Sequence, residues 1–477
     1  MGSKTIFISA DHGLALIYFL QSDVASTLRE AAYEVVVLVA DPMVEKLKEH
    51  SSSSGLLLEG LRLDQAAQYA TREAGEVQWW LQFLRRVGGS RRINTAAMDS
   101  YIRQVAVEEP NRRRLLLPLA WLAIAILRRS QMARRALLGA QQRLAPRIYA
   151  DLFDHYQPEL VVTSTPGWRL DRYLLREAAD RDVKTATVIV GWDNPSSYSL
   201  PGAPVGWATC WSDIQKEELV QGSDWSPDRV NIGGIPSYDG YFRHQWLIPR
   251  REYFETHGLD PERKLLGYAC SFISFSPNLR NVQALARLVT DNGLTAPTQL
   301  LVRLHPNHFL DVPLFVRERE EIRRLAAKTP HMQVVEPVPL GGDLGHYSGE
   351  DMPEKSSMMA HSDVFITVYS TMVLETAIHD RPIVSLCLDT PGGWLTPRKY
   401  SLPLTKIGDW PTHQRFREAG AGQVVYREDE LSAAVNRYLD EPEADAGQRK
   451  AFVEREVTFT DGSAGRRTAE FLGGLIP

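Results

Sequence analysis

The stretch VFITVYSTMVLETAIHDRPIVSL, Val364 to Leu386, breaks a run of β-formers at Tyr369-Ser370-Thr371 and restarts as a helical pattern carrying Glu375. Serine and threonine at such a junction cap the start of a helix. The first turn of a helix also offers N–H groups and roughly half a positive charge, which seats an anion. Glu375 follows Thr371 by four residues and shares its face one turn further in. A carboxylate there does not hold phosphate, but it accepts hydrogen bonds from vicinal hydroxyls, as the acidic residue of dinucleotide sites does with ribose. Phosphate at the tip and ribose one turn along describe a nucleoside diphosphate. The competing reading makes Ser370 a plain cap and Glu375 a solvated surface residue.

Three more groups have the types and places for chemistry. QLLVRLHPNH, Gln299 to His308, is a strand pattern ending in Arg303 and His305, which could neutralise a leaving diphosphate or simply form a pre-proline turn. Cys270-Ser271 ends another strand pattern, where Ser271 is either a hydroxyl donor or an ordinary loop serine. VIVGWDNPSS, Val188 to Ser197, delivers Asp193 to a strand end, and Asn194-Pro195 then signals a turn. Asp11 and His12 hold the matching place after the first strand pattern. A general base could come from Asp11, His12 or Asp193.

These residues need a scaffold that presents them together. The chain opens β-loop-α-β: a strand over 4–9, a helix over 17–31 and a strand over 34–39. Residues from about 60 to 150 are rich in Leu, Ala, Arg and Gln and read as a helical insertion. Strand patterns follow at 160–163, 185–190, 208–211 and 229–232, with a helix over 171–179 between the first two. After an irregular aromatic stretch near 240–260 the α/β rhythm restarts. Strands are expected at 264–270, 299–304, 332–335 and 364–368, and helices at 278–292 and 314–328. A loop follows 332–335, and later elements lie at 410–426 and 429–439. The last helix is expected after Asp461-Gly462. The expected fold class is α/β: two Rossmann-like domains facing across a cleft, the first with a helical insertion. The domains are 1–245, 246–460, and a C-terminal helix at 461–477 that packs back on the first. Ligands in such sheets bind at the carboxyl ends of the strands.

Whole-chain properties narrow the function. At roughly 100–200 residues per domain, 477 residues make two or three domains. A net charge of −5 argues against a dedicated nucleic-acid binder. Three scattered cysteines give no metal spacing and no disulfide framework, which fits a cytoplasmic chain. The opening MGSKTIFISADHG lacks the basic-then-apolar design of a signal peptide. Residues 111–135, NRRRLLLPLAWLAIAILRRSQMARR, hold a 13-residue apolar run closed by arginines. A spanning helix needs about 20 residues. The segment is either a buried helix or one that dips into an anionic bilayer face, making the protein peripheral at the inner face of the membrane.

Taken in order, the motifs resemble GT-B glycosyltransferases, and within them the CDP-glycerol glycerophosphotransferase and surface-polysaccharide glycosyltransferase group. The resemblance rests on Gly191-Trp192-Asp193-Asn194, Trp211-Ser212 through Glu217-Glu218, and Gly234-Ile235-Pro236-Ser237-Tyr238-Asp239. It also rests on Arg303-Leu304-His305-Pro306, on Ser362-Asp363 through Ser370-Thr371 and Glu375, and on Asp461-Gly462 through Arg466. It spans about 155–475 and leaves the 60–150 insertion outside. Two departures are Pro195-Ser196-Ser197-Tyr198 after the Trp-Asp-Asn, and Tyr369 where a small residue is common. The resemblance implies a nucleotide-sugar donor on the C-terminal domain, with Ser370 and Thr371 at the diphosphate, Glu375 at the ribose, and Arg303 and His305 lining the site. The acceptor, which is lipid-linked if 111–135 touches membrane, falls to the N-terminal domain. No metal cofactor is expected, and the lone Asp-x-Asp, Asp180 to Asp182, precedes a strand at the wrong edge. Polyol-phosphate transfer, non-hydrolysing nucleotide-sugar 2-epimerisation and non-catalytic nucleotide-sugar binding are the alternatives.

Overall fold

A computed structural model describes residues 4–51, 55–109, 111–271, 278–291, 293–337, 351–389 and 403–476. Most of the loop expected after 332–335, and Asn292 at the end of an expected helix, lie outside them. The chain divides into two compact units, one of residues 1–239 with 457–477, the other of residues 240–456.

The first unit is built on β1 (Thr5–Ala10), β2 (Glu34–Val39), β3 (Leu57–Gly60), β4 (Leu160–Thr163), β5 (Lys184–Val188), β6 (Trp207–Cys210) and β7 (Val230–Ile232). They form a seven-stranded sheet in the order β3-β2-β1-β4-β5-β6-β7, every pairing parallel. The second unit contains β8 (Lys264–Ala269), β9 (Thr298–Arg303), β10 (Met332–Val335), β11 (Val364–Thr367), β12 (Ile383–Leu386) and β13 (Gln423–Val425). Their order is β10-β9-β8-β11-β12-β13, again wholly parallel. Both sheets thus follow the doubly wound Rossmann order. Their strands read as unbroken apolar runs because helices cover both faces; Val35 to Val39, for example, are all buried.

The expected helix at 17–31 is two helices, Gly13–Leu20 and Asp23–Glu30. The Ser22 hydroxyl divides them by accepting the Val24 N–H at 3.2 Å, giving the backbone an alternative partner. Among the described residues, seven short and long helical segments fill the insertion between β3 and β4, including Gly75–Val87, Ala96–Glu108, Asn111–Leu127 and Gln131–Gln142. The helix Asn111–Leu127 corrects the buried reading, since only one side is inside. Leu117, Ala120 and Ile124 pack with Phe83, Val87, Ile102 and Val105, while Leu115, Leu119 and Leu122 are 80%, 67% and 62% exposed.

The division falls at Asp239/Gly240, ahead of the expected 245/246. Tyr241 and Ile248 belong to the second unit through bonds to Glu375 and Ser357. The chain returns at Val457 rather than 461. Its last helix, Ala464–Gly473, completes the first unit. The Asp239 carboxylate accepts the Ala464 and Gly465 N–H groups at 3.0 and 2.8 Å, a charge placed at the helix start from far away in sequence. A Cβ on Gly465 would lie 2.9 Å from the Asp23 backbone nitrogen, so only glycine permits this approach. Gly234 turns with φ +86° beneath Ala464. Tyr33 and Lys184 donate to the carbonyls of Gly473 and Leu475 at the far end.

Removing both bonds leaves two buried N–H groups without a partner. Asp239→Ala should lower unfolding stability by about 2 kcal/mol in urea titration, with Asp239→Asn falling in between. An unchanged midpoint would show that the clamp contributes nothing.

Candidate active site

In the second unit, the candidate residues sit at the carboxyl ends of β8, β9 and β11. After β11 the chain turns at Tyr369, whose φ of +37° is uncommon for a residue with a side chain. The ring is held by a 2.8 Å bond from hydroxyl to Tyr426 hydroxyl and by contact with His413, so the packing sustains the strained turn. The turn presents Ser370 and Thr371, both half-buried, ahead of the short helix Met372–Ile378. The Ser370 hydroxyl accepts the Met372 N–H at 3.2 Å, and the next N–H groups bond to the Ser370 and Thr371 carbonyls. The first turn of the helix is therefore largely satisfied from within, and the two hydroxyls are what this corner offers a ligand.

Glu375 is 2% exposed, which corrects the solvated-surface reading. Its Oε2 accepts from Tyr241 Oη and from Lys355 Nζ, both at 2.5 Å. Its Oε1 has only a 3.4 Å contact with the Thr371 hydroxyl, leaving acceptor capacity on that oxygen. Arg303 ends β9, buried and ion-paired with Asp351. Its Nη1 is buried without a hydrogen-bond partner among the described residues. The buried hydroxyl of Ser271, just beyond β8, likewise has none. Ala269 and Arg303 are register partners across β8 and β9, so these two orphaned donors stand at neighbouring strand ends.

His305 does not provide the positive charge expected of it. Burial, then the charges of His308, Arg303 and Lys355, push its pKa down to about 3, so it is neutral at pH 7. Its Nδ1 accepts the Asn307 N–H at 3.1 Å, which leaves the proton on Nε2. Behind it, His308 takes the His305 N–H on Nδ1 and meets Glu318 at 3.0 Å through Nε2. Glu318 in turn accepts from Asn278, which bonds both the N–H and the carbonyl of Ser271. This buried chain fixes the ends of β8 and β9 relative to each other.

In the first unit, Asp11 and His12 follow β1. The buried Asp11 accepts from His12 Nδ1 and Ser164 Oγ at 2.7 Å each, and from Arg169 Nε at 2.6 Å. Burial alone would raise its pKa, but the His12 and Arg169 interactions outweigh it and hold the carboxyl well below the usual range. His12 thus keeps Nε2 for other use, with Asp11 orienting the ring, the geometry of an oriented base. Asp171 lies close by, wholly buried, accepting from the Thr165 hydroxyl at 2.6 Å. Burial and then the Asp11 charge push it up to about 7. Asp193 stands beyond β5 at the start of the helix Asn194–Tyr198, which its side chain does not cap. Its loop is held by Gln215, whose amide bonds the Gly191 and Trp192 carbonyls.

Sequence reading missed Lys355, Tyr241, Asp351, Ser164, Arg169 and Asp171. None carries a local motif, and each acquires its meaning from a partner distant in the chain. Among the described residues no cluster of His, Cys, Asp and Glu has the makings of a metal site.

Residues 346–473 match the family described as CDP-Glycerol:Poly(glycerophosphate) glycerophosphotransferase. No curated protein matches the chain in sequence. Its fold is similar to that of a UDP-GlcNAc 2-epimerase from Neisseria meningitidis bound to UDP-GlcNAc, with TM-score 0.54, 11% identity, and 99% and 100% of the two chains covered. It is equally like a glycosyltransferase from Rickettsia africae, with TM-score 0.52, 11% identity, and 100% and 99% covered. S. aureus MnaA in its UDP co-structure gives 0.53, 11%, and 99% and 96%. The fold is α/β with two Rossmann-like units, and the chain resembles the GT-B glycosyltransferases and, over its matched segment, the CDP-glycerol transferase group.

Two buried groups, one in each unit, should respond to pH in opposite directions. Asp171 keeps a proton in the folded chain up to about pH 7 that the unfolded chain releases near 3.8. Its contribution is full below the lower value and lost as pH rises through 7. Asp171→Asn should therefore raise the melting temperature at pH 8 and leave it unchanged at pH 4. His379, half-buried against Tyr241, is pushed from 6.5 down to about 4, mainly by burial. Its contribution is present above 6.5 and lost as pH falls towards 4, so His379→Gln should flatten the acid limb of the melting curve. Parallel pH profiles for native and variant proteins would contradict both assignments.

Proposed function

We propose that the protein is a glycosyltransferase that moves a sugar from a nucleotide-activated donor to an acceptor hydroxyl, in the synthesis of a surface glycan or glycoconjugate. The observation that carries this reading is the pair of orphaned buried donors, Ser271 Oγ and Arg303 Nη1, at the ends of β8 and β9. Buried polar groups without partners cost stability until a ligand supplies them, and diphosphate oxygens are suitable acceptors. The Ser370 and Thr371 hydroxyls and Lys355 add to that seat, with Lys355 supplying the charge that neutral His305 does not. Glu375, ion-paired with Lys355 through Oε2, takes a ribose hydroxyl on Oε1. The UDP-bearing relatives in fold support a nucleotide donor.

In the first unit, His12 Nε2 is the base in an inverting course, with Asp11 orienting it and Asp193 as a second candidate. The acceptor oxygen bonds to the anomeric carbon as the bond to the diphosphate breaks; the hydroxyl proton passes to His12 and the nucleoside diphosphate leaves. The leaving charge falls to Lys355, Arg303 and the hydroxyls, and this scheme calls for no divalent ion. Polyol-phosphate transfer is the second reading, supported by the family description over 346–473; there the attack falls on phosphorus.

Thermal shift against nucleoside diphosphates and nucleotide sugars tests the seat. A ligand at about 100 times its Kd should add roughly 2.7 kcal/mol, and Glu375→Gln should remove most of the shift. Stability unmoved by every nucleotide would sink the proposal. His12→Asn should lower turnover about 100-fold while sparing the shift, and turnover should survive EDTA. Identification of the product as glycoside, phosphodiester or epimer separates transfer of sugar, transfer of polyol phosphate and epimerisation.

A further inference from the structure

The helix Asn111–Leu127 leaves on the surface what a soluble fold ordinarily buries. Leu115, Leu119, Leu122 and Ile126 recur at helical spacing along one face, each more than half exposed, and Trp121 and Met132 widen the patch. The opposite side is committed to the core through Leu117, Ala120 and Ile124. No single helix among the described residues is long and apolar enough to cross a membrane. Half the circumference of the helix is therefore an apolar face open to a partner.

Charge identifies the occupant. Residues 111–147 contain nine arginines and not one aspartate, glutamate or lysine, in a chain of net charge −5. At the C-terminal end of the helix these arginines line a cleft of about 390 Å³, where Arg91 and Arg92 join Arg128, Arg129 and Arg134. Asp99 offsets Arg128 and Asp224 offsets Arg134, while Arg91, Arg92 and Arg129 have no ion pair to a carboxylate among the described residues. A second copy on this face would set arginine against arginine across a two-fold axis. A surface of lipid phosphates meets both needs, acyl chains for the leucines and anions for the cleft.

We propose that this helix docks the protein on an anionic lipid surface, its leucine face entering the acyl boundary and the arginine cleft holding a lipid headgroup phosphate. The inference concerns the insertion alone and stands or falls independently of the transferase reading.

The test is flotation of the full chain with vesicles of phosphatidylcholine, alone or with a quarter phosphatidylglycerol. Binding is expected only with the anionic vesicles and should weaken with salt. Leu119→Glu with Leu122→Glu should abolish it without altering the melting temperature. Arg92→Glu with Arg129→Glu should weaken it about tenfold. Brominated lipids should quench native tryptophan fluorescence and quench Trp121→Phe less, a readout that needs no charge in the apolar face. Failure to float, or flotation indifferent to the leucine substitutions, overturns the proposal. So does a dimer that the leucine variant dissociates while vesicles stay unbound. Equal flotation on neutral vesicles removes the headgroup assignment.

Discussion

The first unit depends on one carboxylate. Asp239 is its last residue before the chain departs, and its two oxygens take the N–H groups that open the helix returning at Ala464. Departure and return are fixed at one point by a charge against a helix start. Around it, Gly234 and Gly465 permit an approach that a larger residue would block. Two of the motifs that carried the family resemblance, Gly234 to Asp239 and Asp461 to Arg466, are the two halves of this clamp. Another, Trp211 to Glu218, supplies Gln215, which holds the Gly191-Trp192 carbonyls. Much of what makes the sequence resemble a family is joinery rather than chemistry.

The candidate residues gather where doubly wound sheets place a ligand. In each unit the strand order reverses beside the first strand of the sheet, between β1 and β4 and between β8 and β11. The loops after those strands diverge and leave room for a ligand. Asp11 with His12 and Ser164 to Asp171 occupy the first such place; Ser271 and Ser370 to Glu375 occupy the second. The two settings differ in kind. The first pushes two carboxyl groups apart in acidity, Asp11 down and Asp171 up, as acid–base sites do. The second pairs its cations with carboxylates in advance and leaves donors unsatisfied beside them.

The sequence made the sheets legible wherever an apolar run was long. Glu34–Val39, Leu160–Thr163 and Met332–Val335 lie where the residues alone place them. β3 escaped notice because Leu57–Gly60 offers only two apolar residues after a serine tract. Polar residues at strand ends were equally legible, and this brought Asp11, His12, Ser271, Arg303, Ser370 and Glu375 into view. Their states were not. Whether Glu375 is solvated or buried depends on Lys355 and Tyr241, and whether His305 is charged depends first on its burial and then on His308, Arg303 and Lys355. The strained turn at Tyr369 was also hidden, since the tyrosine–tyrosine bond that holds its ring spans 57 residues.

The split first unit sets an order of events during synthesis. Residues 240–456 make a continuous unit that is complete when residue 456 has left the ribosome. The first unit begins earlier and finishes later, because its covering helix follows residue 456 in the chain. Until then the face awaiting that helix, including Val24, Ala25 and Leu28 of Asp23–Glu30, lacks its cover. The first unit therefore cannot be completed until residues 464–473 have followed the whole of the second, against the usual vectorial order in which the N-terminal domain is finished first.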